Sequence, residues 1–232
     1  MAHEDAKDDP GFGSRASDRL TAFSDAVVAI AITLLAIDLP VPSGLDWPHF
    51  RASLSADYLQ YLAFLISFLA IAGTWSQHHD LFRYVRGTDS RMRSLHLQWL
   101  LTIILIPFIT KLLFTGGHSD TLVHALEWGT YALVQVLDSV LLLTMVRHLD
   151  AHDQLEPSTP RRVVSSVVGQ SWALIIGFGV SIPLFFVNGN AWVFWILGPL
   201  LVRRARALHH RRAGARPEDS RPGPPEKPGP ES

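Results

Sequence analysis

The sequence predicts an all-α membrane protein with six transmembrane helices per subunit. Three observations carry that reading. Long apolar runs alternate with short polar stretches, charge gathers at the two ends of the chain, and Lys and Arg fall almost wholly on alternate loops. The chain has 232 residues, 48% hydrophobic and 18% charged, against roughly 25% charged in an average soluble domain. Mean hydropathy is +0.19, an average over polar ends and an apolar middle. This composition excludes an ordinary soluble enzyme and a disordered chain. A formal net charge of -1 offers no overall basic field for nucleic acid. With no cysteine, disulfides, thiol catalysis and Cys-ligated metals are excluded.

A spanning helix needs ~20 predominantly apolar residues. The first run extends from about Leu20 to Leu39, the second from Tyr58 to Trp75, the third from Leu95 to Phe114 and the fourth from Leu122 to Val146. The fifth lies near Val163 to Val187, and a short sixth near Ala191 to Val202. Ser17 and Asp18 read as N-cap residues of the first run, and Pro40 and Pro42 end it. The opening MAHEDAKDDP is acidic, so a cleavable signal peptide is not expected.

The loops predict orientation. The N-terminus, the second-to-third loop, the fourth-to-fifth loop and the C-terminus together hold 18 Lys and Arg residues. The opposite side holds only Arg51 and Lys111. The positive-inside rule then places both termini in the cytoplasm, which requires an even number of crossings and so includes the short sixth run. The domain plan is a cytoplasmic segment over 1–18, a six-helix membrane domain over 19–202 and a cytoplasmic tail over 203–232. The tail is first basic and then Pro-rich. Its basic part suits anionic lipid and its Pro-rich part is expected to be disordered. Trp47, Trp75, Trp128, Trp172, Trp192 and Trp195 sit near run ends and read as interfacial anchors. No internal repeat is visible.

The first run is the most informative. At 100° per residue, Phe23, Ala26, Ile30, Thr33, Leu34 and Ile37 share one stripe, while Ser24 and Asp25 point away from it. Plain helix packing or lipid contact explains such a stripe. So does a pore-lining face, because apolar rings close a pore by dewetting and a hydroxyl ring offers oxygen to a cation. One helix cannot surround a pore, so the second explanation requires several copies of the chain. Charge inside a membrane costs at least ~2.5 kcal/mol at the centre on the insertion scale. Arg19 and Asp25, near the predicted cytoplasmic end, therefore need partners, and His78 or His79 of the second run is within reach. Such a cluster serves as a structural staple between helices or as a proton-responsive gating element. Adjacent His78 and His79 point ~100° apart on a helix and do not share a metal easily.

Asp138 lies inside the fourth run, with His124 and Glu127 nearer its outer end and Tyr131 and Gln135 between. A buried hydrogen bond is the expected state of Asp138. Gln98, Lys111 and Gln170 are expected to be similar, and Pro107 and Pro183 to kink their helices.

Arg19-x-x-x-Phe23-Ser24-Asp25, then Ala29-Ile-Ala-Ile-Thr33 and Leu35-Ala-Ile-Asp38-Leu-Pro40, resembles the signature of the transmembrane protein 175 family, whose best-known member is the lysosomal potassium channel. The Trp75…His78-His79…Phe82 stretch and Ile106-Pro107-Phe108 resemble it too. The likeness covers roughly residues 17–202. It implies a potassium-permeable cation channel, with six helices per repeat and the first helix lining the pore. A single repeat, as here, implies a homotetramer. The family's constriction maps to Ile30, its threonine layer to Thr33 and the next layer to Ile37, with Leu34 beside them. Its structural cluster maps to Arg19, Phe23, Ser24 and Asp25 with a second-helix histidine. No TVGYG-like run is present, so a carbonyl-lined potassium filter is not expected and selectivity must arise otherwise.

These readings describe a non-enzymatic protein of the cell membrane whose partners are copies of itself and membrane lipid. They call for no cofactor and no metal beyond potassium in transit near Thr33. The alternatives are a proton-conducting channel or a proton-coupled small-solute transporter. A transporter would show matched, broken half-repeats, and Pro107 and Pro183 have no such pairing. A membrane enzyme would need a second dense polar cluster beside His78, His79 and Asp80. A non-conducting scaffold also fits the composition.

Overall fold

The computed structural model describes residues 10–115 and 121–185. Within them the chain forms six α-helices: α1 (Pro10–Ile37), α2 (Trp47–Ala56), α3 (Tyr58–Phe82), α4 (Ser90–Thr115), α5 (Thr121–Ala151) and α6 (Arg161–Phe185). Among the described residues five helices are long and apolar enough to cross a membrane: Ser17–Ile37, Tyr58–Phe82, Ser90–Leu113, Thr121–Ala151 and Arg161–Phe185. The expected sixth span near 191–202, Trp192, Trp195 and the tail from Arg203 lie outside the described residues.

The five runs appear as expected, but their ends differ. α1 begins at Pro10, so Ser17 and Asp18 are interior residues and not N-caps. Proline suits a first helical position, because its fixed φ is helical and the N–H it lacks would be unpaired there. Ser17 is then buried, and its carbonyl accepts from Thr21 Oγ1 at 3.0 Å. α3 runs on to Phe82, past the expected end at Trp75, and α5 runs on to Ala151. Hydropathy marks only the lipid-facing length, whereas backbone hydrogen bonding continues through polar residues once the helix leaves the apolar layer.

The helix α2 was not expected. It follows Gly44, whose φ of +149° excludes a side chain, since a Cβ there would stand 2.4 Å from the backbone nitrogen of Phe50. Asp46 caps α2, accepting from the His49 N–H at 3.0 Å, and Pro48 follows in the first turn. No α2 residue is buried. Trp47 stacks on Phe50 with centroids 6.0 Å apart and is 71% exposed, which suits the interfacial role read from sequence.

The core lies where α4 and α5 pack, with α1 and α3 against α4 on one side and α6 against α5 on the other. Ile71, Leu81, Met92, Trp99, Ile103, Ile106, Leu142, Met145 and Leu149 are essentially inaccessible. At one end the α3–α4 loop joins the α5–α6 loop. Arg86 N–H donates to the Gln154 carbonyl and Glu156 N–H to the Tyr84 carbonyl, both at 2.9 Å. Asp89 organises this end. Its Oδ1 caps α4 by accepting from the Met92 N–H at 2.6 Å, and its Oδ2 accepts from His148 Nε2 at 2.8 Å and Gln154 Nε2 at 3.2 Å. The cap bond first, then the two side-chain donors, lowers its pKa to about 2.

Candidate functional site

The helix α1 has two faces. Ser24, Val28, Ala31 and Leu35 are buried against the protomer's own helices. The spacing of 4, 3 and 4 keeps them on one side of the helix. The opposite stripe is open. Ile30 is 59% exposed and Ile37 77%, while Phe23, Leu34, Ala26 and Thr33 are exposed beside them. Thr33 Oγ1 donates to the Ile30 carbonyl at 2.8 Å. A hydroxyl whose only proton is committed to its own helix presents lone pairs outward. The face thus offers branched hydrocarbon with one layer of oxygen acceptors.

Just past the end of α1 at Ile37 stands Asp38, whose Oδ1 accepts from Lys111 Nζ of α4 at 2.7 Å. The pair borders a small cavity of about 220 Å³ lined also by Gln60, Phe64 and Thr110.

Behind the open face, the predicted cluster divides into two groups. Asp25 is half-buried; its Oδ1 accepts from Trp75 Nε1 at 2.7 Å, with His79 Nδ1 3.9 Å away. Trp75, read from sequence as an interfacial anchor, is therefore also a ligand of Asp25. His78 does not join this group. It is fully buried, stacked on Trp99 at 4.3 Å and on Phe82 at 4.1 Å, with its Nε2 3.3 Å from His96 Nδ1. His96 Nε2 in turn meets Ser24 Oγ. Because the Ser24 hydroxyl donates to the Leu20 carbonyl at 2.9 Å, it must accept from His96. The bonds then run in one direction, from His78 through His96 and Ser24 to Leu20. Phe23 is outside this cluster, on the exposed stripe. Arg19 is exposed, and among the described residues no ion pair reaches it.

His96 was missed in the sequence, although a single histidine within the apolar run Leu95–Leu101 was the available signal. Asp138 is hydrogen-bonded as expected, to Thr74 Oγ1 at 2.8 Å and Thr102 Oγ1 at 3.0 Å. Nearby, Tyr131, Ser67, Thr110 and Gln135 form a second buried polar group, with Ser67 Oγ 2.8 Å from Thr110 Oγ1 and 3.0 Å from the Tyr131 hydroxyl. Glu127 Oε2 lies 3.4 Å from His124 Nδ1. Among the described residues no group of three or more metal-ligating side chains converges.

Five apolar spans, a polar staple behind the first and an open face before it describe a multi-pass membrane protein of the ion-channel class. Residues 19–107 match the family model described as "Endosomal/lysosomal potassium channel TMEM175". A potassium channel of Streptomyces collinus is 35% identical over 173 residues, covering 74% of this chain and 84% of that protein. A potassium channel of Chamaesiphon minutus is 32% identical, covering 59% of this chain and 68% of that one. The human endosomal/lysosomal proton channel TMEM175 is 31% identical over 111 residues, which is 22% of its length. The crystal structure of a lysosomal potassium-selective channel TMEM175 homolog from Chamaesiphon minutus superposes with a TM-score of 0.63 at 25% identity, covering 87% of this chain and all of the other. The chain belongs to the TMEM175 family of ion channels and is not an enzyme.

Proposed function

We propose that the chain assembles as a homotetramer in the cell membrane and conducts potassium through a central pore lined by α1. The observation that carries this reading is the exposure of Ile30, Leu34 and Ile37 around Thr33 in a helix whose opposite face is fully packed. Ile30 forms the constriction. An isoleucine ring has no ligand for an ion, so a bare cation is opposed there until the ring widens or oxygen is supplied nearby. Thr33, one turn along, supplies it, and Ile37 forms the next layer. Selectivity comes from these layers in place of a carbonyl filter, and no cofactor is needed beyond the permeant potassium. The Lys and Arg distribution puts both termini in the cytoplasm, so Asp38 and Lys111 face outward. The group made by Asp25, Trp75 and His79, with Ser24, His96 and His78 behind it, fixes α1 against its own protomer, a role in which Ser24 and Asp25 of the motif take part and Arg19 and Phe23 do not.

Potassium flux from liposomes holding purified protein tests the reading. Ile30→Asn should raise flux and reduce discrimination between potassium and sodium. Unchanged flux and discrimination would exclude Ile30 as the constriction, and a protein that is monomeric by mass in detergent would exclude the shared pore. A proton-conducting function is the second reading, favoured by the vertebrate relatives named as proton channels. The same liposomes with an imposed proton gradient and a lumenal pH dye separate the two.

A further inference from the structure

Thr102 Oγ1 lies 2.6 Å from the Trp99 carbonyl oxygen and 3.0 Å from Asp138 Oδ1. A hydroxyl has one proton to donate. A backbone carbonyl can only accept, whereas a carboxyl can also donate, and the carbonyl contact is the shorter, so the arrangement that satisfies both contacts gives the proton of Thr102 to Trp99. Toward Asp138, Oγ1 then presents lone pairs. An ionised carboxylate is also acceptor-only, and two acceptors facing each other at that distance repel. Both short contacts are hydrogen bonds at once only if a second proton lies between Oγ1 and Oδ1, and Asp138 is the group there that can carry it. We infer that Asp138 is a proton-binding site off the pore: its carboxyl holds a proton on Oδ1 and donates it to Thr102, while Oδ2 accepts from Thr74.

The surroundings fit a neutral acid. Asp138 is 2% exposed. Its neighbours on the packed helices are Thr74 of α3, with Thr102 and the Trp99 indole of α4, none of them charged. The titratable groups nearest along these elements are His78, one turn from Thr74, His96, within two turns of Thr102, and Tyr131, two turns back along α5. Between Val163 and Phe185, α6 has no titratable side chain. An ionised Asp138 would thus be a buried charge without a counter-charge, a state proteins avoid by neutralisation.

The bound proton closes a clasp that joins three helices. Thr74 is next in sequence to Trp75, the residue that holds Asp25 of α1. Proton occupancy at Asp138 therefore bears on how α3 holds the lining helix. This last step rests on the proposed pore, whereas the proton site does not.

Infrared difference spectroscopy of the full chain in lipid, wild type minus Asp138→Asn, tests the site without reference to conduction. The expected result is loss of a protonated-carboxyl C=O band in the variant. Loss of carboxylate stretching bands instead would overturn the proposal. Thr102→Val is the second arm, and it remains decisive if the asparagine variant does not fold. Removing the acceptor while leaving the acid should shift the C=O band, and a shift confined to carboxylate bands would again overturn the assignment.

Discussion

Trp75 Nε1 donates to Asp25 Oδ1 at 2.7 Å and so joins α3 to the helix that carries the exposed apolar face. The bond sits at a half-buried carboxylate, where the strength of a charge-assisted contact is reduced by water. Trp75→Phe keeps the ring and removes the donor. The variant should lose about 1 kcal/mol of stability, seen as a lower thermal midpoint in detergent. His79, 3.9 Å from the same oxygen, remains to compensate partly, so Trp75→Phe combined with His79→Ala should lose more than either change alone.

Ser24 poses a sharper case, because its partner is fully buried. Ser24→Ala removes the acceptor of His96 Nε2 and leaves an N–H in the core with no water to replace it. The expected cost is about 1–3 kcal/mol, larger than for Trp75→Phe. A thermal midpoint equal to wild type would show that His96 finds another acceptor, and the direction of bonds from His78 to Leu20 would then be wrong.

The five spans were legible in the sequence because lipid leaves a chain no choice: about 20 apolar residues in a helix satisfy every backbone group. The inward and outward faces of α1 were legible for a similar reason, since period 3.6 separates Ser24 from Ile30 whatever surrounds them. What could not be read was pairing between helices. His78 and His79 are adjacent, and nothing local decides which of them turns toward Asp25. Packing settles it: His79 approaches Asp25, while His78 turns inward between Phe82 and Trp99 to meet His96, 18 residues on. The helix α2 was hidden because its ten residues bury nothing and so carry no core stripe.

Asp89 makes the α3–α4 turn sensitive to acid. Its folded-state pKa, about 2, is below the ordinary value of 3.8, because the ionised form accepts from Met92, His148 and Gln154. A depressed carboxyl adds stability that is complete above the unfolded value and is lost as pH falls from about 4 toward 2. The side chain is 38% exposed, so screening reduces the effect to about 1 kcal/mol. Thermal midpoints measured from pH 6 to pH 2.5 should fall less steeply below pH 4 for Asp89→Asn than for wild type. Parallel curves would mean that the cap contributes nothing to acid sensitivity.

Lys111 and Asp38 set the charge at the C-terminal end of α1. Lys111 Nζ donates to Asp38 Oδ1 at 2.7 Å, with both side chains about half exposed. In a tetramer with α1 at the axis, Asp38 would repeat four times around the outer mouth, each carboxylate offset by a lysine. Lys111→Gln keeps a donor within reach and removes the positive charge, so the mouth gains negative potential and local potassium rises. Inward potassium flux at low ionic strength should increase by about two- to fivefold, less than the roughly 10–10³-fold effect of a charge-lined cleft because both side chains are about half exposed to screening water. It should shrink as salt rises, because the Debye length falls from ~30 Å at 0.01 M to ~8 Å at 0.15 M. Asp38→Asn should act in the opposite sense and with the same salt dependence. Equal flux in all three proteins at low salt would place Asp38 away from the conduction path, and with it the C-terminal end of α1.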